Sequence, residues 1–138
     1  RTQKQLQFAA IFYGAFGLVT AAAALPALSL PTLLITDIIL WPIDGAQSLA
    51  SPETRTLCAI LGGVLVGWAV MIWLTATKLY PRDPALARSI ILTSVTIWFV
   101  IDSAASVLAG APVNIIPNLA FAALVWLPLR QQPDTRLA

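Results

Sequence analysis

The chain has 138 residues, 59% of them hydrophobic and 10% charged, with a formal net charge of +2. A soluble globular domain carries about a quarter charged residues, so this composition argues against one. There is no histidine, one cysteine (Cys58) and one methionine (Met71). That removes His-ligated haem and zinc, Ser–His and Cys–His catalysis, thiolate metal clusters and an intrachain disulfide.

A transmembrane helix needs about 20 mostly apolar residues, because its backbone finds no water in hydrocarbon. Four stretches qualify, at roughly 6–28, 56–77, 85–109 and 113–129. They predict an all-α polytopic membrane protein, a single domain over residues 1–138 built as a four-transmembrane-helix bundle. In the first stretch, Arg1 and Lys4 precede an apolar run too long for a signal-peptide core. Gly14, Gly17 and the run Ala21–Ala24 are small enough to let a neighbouring backbone approach. Pro26 and Pro31 then end that helix.

Residues 33–41, bracketed by Pro31 and Pro42, are apolar but too short to cross a bilayer, since ten helical residues reach about 15 Å. They predict a short interfacial or re-entrant segment over the outer face. Trp41-Pro-Ile-Asp-Gly45 is turn chemistry. Ser51-Pro-Glu53 is a helix start, with Ser51 as N-cap and Pro52 at the first helical position. The second helix carries Gly63 and Gly67, a GxxxG pair for close packing, expected within this bundle rather than between copies. Cys58, near its start, is expected to act as a small buried hydrophobe. The third helix starts at Pro84 after a tight basic loop and closes at Gly110 and Pro112. The fourth opens with Asn114 and Asn118, one turn apart around Pro117, and is expected to lose order at Pro128 and Pro133.

Seven of the eight basic residues (Arg1, Lys4, Lys78, Arg82, Arg88, Arg130 and Arg136) fall at alternate span ends. The positive-inside rule then places both termini in the cytoplasm and the 30–55 segment on the opposite side. The small positive charge is accordingly assigned to facing anionic lipid, not nucleic acid. Tyr80 and Trp41 suit the two aromatic belts.

Asp102, inside the third span, is the strongest anomaly, because an ionisable group in a membrane helix is costly to bury. Trp98, Asp102 and Ser106 share one helix face, and Ser103 and Ser106 are within reach of the carboxylate. Arg55 is the one basic residue at that membrane end, a gap of about two turns, some 10 Å, away. Three readings of Asp102 stay open: a charge-neutralising pair with Arg55 that pins two helices, a ligand or proton site, and a merely solvated acid. Asp37 and Asn114, with Asp44, Gln47, Glu53 and Asp102, can line a shallow polar pocket beneath the outer segment; a plain wet surface is the equal alternative. The six acidic residues leave room for an oxygen-ligand metal site but give no motive for one, and neither a metal nor a cofactor is expected.

The Pro-bracketed outer segment, Glu53-Thr-Arg55 opening a helix with Gly62-Gly63, the basic turn and two final helices resemble those of DoxX-like small four-helix bacterial membrane proteins and their relatives. The resemblance implies a membrane bundle, located in a bacterial inner membrane, and brings no site residue with it. Proteins of the small multidrug resistance family have similar length, but they carry a membrane-embedded Glu in the first helix, where this chain has no acid.

With packing residues abundant and catalytic sets absent, the expected function is non-enzymatic. It is a membrane accessory or scaffolding subunit, with the bilayer and other membrane proteins as partners, holding a lipid or lipophilic ligand against Trp98, Trp68 and Trp73. The competing expectation is a small-molecule or proton-coupled carrier built on Asp102.

Overall fold

The computed structural model describes residues 1–130, so the expectations for Pro133 and Arg136 lie outside the described residues. All regular structure among the described residues is helical. Four helices are long and apolar enough to cross a membrane. The spans are Thr2–Ala22, Pro52–Leu79, Pro84–Leu108 and Pro112–Arg130, and their α-helical parts are α1 (Thr2–Ala22), α3 (Pro52–Leu74), α4 (Pro84–Leu108) and α5 (Ile115–Arg130). A shorter helix, α2 (Leu30–Ile39), follows α1 after a 3₁₀ turn at Pro26–Leu28.

Local chemistry sets the ends. α1 stops short of residue 28 because Leu25, preceding Pro26, is extended at φ −96° and ψ 121°, the conformation a following proline imposes. Ser51 caps α3 by accepting the Thr54 N–H at 3.2 Å, with Pro52 in the first turn, as its sequence predicts. Past Leu74 the chain widens into a π turn over Thr75–Leu79, closed by the Tyr80 N–H on the Thr75 carbonyl at 2.8 Å. Asp83 caps α4 through the Leu86 N–H at 2.9 Å. α5 runs on to Arg130 through Pro128, because a proline in the last turn removes a single ladder bond.

The long helices alternate in direction, and the main core gathers the start of α1, the end of α3, the start of α4 and the end of α5. Leu6, Ala9, Ala76, Ile91, Val95, Ala122, Val125 and Leu129 fill it. The closest seam is α1 against α3, where Gly17 and Gly62 meet. A Cβ on Gly62 would lie 2.4 Å from the Ala21 nitrogen and 2.5 Å from the Gly17 carbonyl oxygen. The two backbones are therefore in direct contact, as small residues permit.

This corrects the reading of Gly63 and Gly67 as the bundle's packing pair. A Cβ on either meets nothing within 4 Å. The inward row of α3 is Cys58, Gly62, Leu65, Ala69, Ile72, spaced by three and four residues. Gly63 and Gly67 fall off that row and face outward.

Tyr13 ties the seams together. It is fully buried, stacks between Trp68 (5.2 Å between centroids) and Phe121 (5.1 Å), and donates its hydroxyl to the Phe121 carbonyl. Trp68 in turn meets Trp98 at 5.3 Å, so one aromatic ladder touches α5, α1, α3 and α4.

Candidate functional site

The polar centre of the molecule is built at the turn between α4 and α5. Asp102 and Ser106 lie one helical turn apart on α4, with Ser103 beside them. α4 ends at a Schellman closure: Gly110 takes φ +82°, its N–H bonds the Val107 carbonyl, and the Ala111 N–H bonds the Ser106 carbonyl at 2.8 Å. A 3₁₀ turn at Pro112–Asn114 then delivers the chain into α5. Pro117 is tolerated in the first turn of α5, so Asn114 and Asn118 stack one turn apart and face back toward α4.

The result is a closed hydrogen-bond set around one carboxylate oxygen. Asp102 Oδ1 accepts from Asn118 Nδ2 at 2.6 Å, Asn114 Nδ2 at 3.1 Å and the Ser106 hydroxyl at 3.3 Å. The second proton of each amide also has a place. Asn114 donates to Ser106 Oγ at 2.8 Å, and Asn118 donates to Ser103 Oγ at 3.3 Å. Every partner of this oxygen is a donor. Ser103 and Asn118 are buried, while Asp102, Ser106 and Asn114 are half-buried. Asp102 Oδ2 receives no hydrogen bond from the described residues.

Among the sequence candidates, Asp102, Ser106 and Asn114 are thus brought together; Arg55 and Asp37 are not part of the set. Arg55 is half-buried in the first turn of α3 and is not among the partners of Asp102. The expected ion pair between them is not formed. α3 packs chiefly on α1, and α4 chiefly on α5; the Asp102 oxygen is engaged by its own hairpin. Asp37 is buried on α2 and accepts the Gly45 N–H on both carboxylate oxygens, at 3.1 and 3.2 Å. It closes its own loop, in which Asp44 caps the Ala46 N–H at 2.9 Å. Neither acid is among the hydrogen-bond partners that gather at Asp102. The main grooves among the described residues are lined by other side chains.

The tryptophan trio also divides. Trp68 and Trp98 pack against the core, whereas Trp73 is 39% exposed and lines a separate outer groove between α1 and α3. Trp68 and Trp98 are therefore core aromatics, not the walls of a shared open ligand site. Sequence reading left Asn118 out of the site, although its four-residue spacing from Asn114 was visible. It also gave no signal for Tyr13. Among the described residues no group of three or more His, Cys, Asp or Glu converges to hold a metal.

No family model matches the chain, and neither does any curated protein or solved structure. The likeness to DoxX-like proteins thus rests on the sequence elements that suggested it.

Proposed function

We propose that this chain is a multi-pass membrane protein without catalysis of its own, an accessory or scaffolding subunit that seats the transmembrane helix of a different protein on α3. In this reading both termini lie on the basic, cytoplasmic side, and a bacterial inner membrane is the setting that the sequence likeness favours. The observation that carries it is the outward placement of Gly63 and Gly67, with open space where their Cβ atoms would lie. Ala59, one turn before Gly63, is exposed on the same face. Within the molecule, Gly17 and Gly62 already show how α3 accepts a helix at backbone distance. In hydrocarbon, where apolar area alone gives little drive, such notches are what bring helices together. The polar centre supports the same reading: Asp102 Oδ1 is engaged by its own hairpin and holds α4 to α5 as part of the scaffold.

A photo-crosslinking side chain at position 63 or 67, in native membranes, tests this. One defined membrane protein should be captured in stoichiometric yield from both positions and not from outward-facing position 101. Gly63→Leu with Gly67→Leu should abolish co-purification of that same protein. Capture of a second copy of this chain, or of nothing, overturns the reading.

One observation favours a second reading, a carrier that uses Asp102 for a proton or an amine. Its Oδ2 accepts no hydrogen bond from the described residues, and so is available to an incoming donor. Asp102→Asn retains an oxygen for the Asn114 and Asn118 amides but lacks the charge. A carrier would lose substrate- or proton-coupled uptake in vesicles with the fold intact; unchanged uptake removes this reading.

A further inference from the structure

We propose that the groove between α4 and α5 at the basic end of the bundle binds an anionic phospholipid, its phosphate held by Arg88 and Arg130 and one acyl chain lying along the groove. The groove has a volume of about 570 Å³, and its walls include Leu92, Leu119, Trp126 and Leu127 beside the two arginines. No acid lines it. Arg88 Nε is buried and has no hydrogen-bond partner among the described residues. A desolvated guanidinium donor is expensive to leave unmatched, and a phosphate oxygen is the acceptor that its planar fork fits best. The nearest acid in sequence, Asp83, already accepts the Leu86 N–H.

The layout selects a lipid over a free anion. From Arg88 through Leu92 to Thr96 the wall rises about 12 Å along α4, and from Arg130 back to Leu119 about 16 Å along α5. Charge sits at one end and apolar surface fills the rest, over about the depth of one leaflet of a 30 Å hydrocarbon core. Arg88 and Arg130 lie at the end shared with Lys78 and Arg82, where anionic headgroups are attracted. A second groove on the other flank of α5, of about 460 Å³, has Arg1 and Lys4 at its mouth. Both of those cations are exposed, as Arg130 is, and neither offers a buried unmatched donor like Arg88 Nε. The lipid site rests on the membrane-spanning reading of the four helices and is independent of any partner on α3.

Native mass spectrometry of the full chain in gentle detergent, offered phosphatidylglycerol or phosphatidylcholine, tests it. Wild type should retain phosphatidylglycerol preferentially. Arg88→Gln and Arg130→Gln should each lower that retention about fivefold, the factor expected of one arginine near an anionic headgroup, and leave phosphatidylcholine retention unchanged. A second measurement does not depend on arginine variants folding. Quenching by lipids brominated in the acyl chain, taken as the difference between wild type and Trp126→Phe, should half-saturate at a several-fold lower mole fraction of phosphatidylglycerol than of phosphatidylcholine. Equal response to the two lipids overturns the proposal, as does displacement of the lipid by millimolar inorganic phosphate. Failure of the protein to float with vesicles would remove the membrane reading itself, whereas loss of the α3 crosslink alone leaves the lipid site standing.

Discussion

The α1–α3 seam and the α4–α5 seam hold equally apolar helices together by opposite means. The first contains no polar side-chain bridge at its crossing and relies on Gly17 and Gly62 to bring two backbones into contact. The second is joined by Asp102, Ser103, Ser106, Asn114 and Asn118 around one carboxylate oxygen. Helices this apolar gain little by hiding from a hydrocarbon solvent, so close packing and interhelical hydrogen bonds must do the sorting. The two devices fail differently. The glycine seam cannot accept volume, and the polar seam cannot lose its acceptor.

The largest effect should come from adding volume at the glycine seam. In Gly62→Val the new Cβ meets backbone atoms of Ala21 and Gly17 at 2.4 to 2.6 Å, and backbone cannot swing aside as a side chain can. We expect a loss of about 3 kcal/mol or more in reversible unfolding from mixed micelles, the upper range for overpacking. Gly63→Ala, one residue away and facing outward, should be neutral or stabilising by up to about 1 kcal/mol through helix propensity. Equal costs at 62 and 63 would dissolve the distinction between the inward and outward rows of α3.

Removing the acceptor at the polar seam should cost less. Asp102→Leu leaves the Asn114 and Asn118 amides without their shared oxygen, and unmatched polar groups of that kind cost about 2–3 kcal/mol in the same unfolding assay. Asp102→Asn keeps an oxygen for them and should cost under about 1 kcal/mol, since interhelical hydrogen bonds in membranes average near 0.6 kcal/mol. If the Asn variant proves as damaging as the Leu variant, the negative charge and not the acceptor geometry holds the hairpin.

Much of this comparison was legible in residue order. The cap at Ser51, the helix starts at Pro52 and Pro84, the end of α1 before Pro26 and the four long helices follow from local rules that need no partner; the Asp83 cap went unread, and the stop expected at Pro128 does not occur. The face shared by Asp102 and Ser106 was legible for the same reason, because four-residue spacing on one helix is a local fact. What failed were pairings across helices. Gly62 and Gly63 are chemically identical neighbours, and about 100° of helix rotation decides which one touches α1. Arg55 and Asp102 share a predicted membrane end, yet which helix lies beside which depends on the whole set of contacts. Tyr13 was invisible because nothing in a first-helix tyrosine signals that Phe121 and Trp68 will close on it.

Tyr13 sharpens the comparison because it belongs to neither device alone. Its ring is stacked like an apolar core residue, while its hydroxyl bonds the Phe121 carbonyl across to α5. Tyr13→Phe keeps the stack and removes one hydrogen bond, so unfolding stability should fall by about 1 kcal/mol. A near-zero change would place the weight of the α1–α5 contact on ring packing.

The smallest effect is expected at Arg55, and it discriminates most between two ways of closing the α4–α5 end. Had Arg55 neutralised Asp102, its removal would strand a half-buried charge and cost more than about 1 kcal/mol, short of the roughly 3–5 kcal/mol of a fully buried pair. With the carboxylate held by Asn114, Asn118 and Ser106 instead, Arg55→Gln should change stability by less than about 0.5 kcal/mol, the range for side chains outside any network. A double-mutant cycle with Asp102→Asn should likewise return no coupling beyond about 0.5 kcal/mol. Coupling of 1 kcal/mol or more would mean that the arginine reaches the carboxylate in the membrane, and that Asp102 joins three helices and not two.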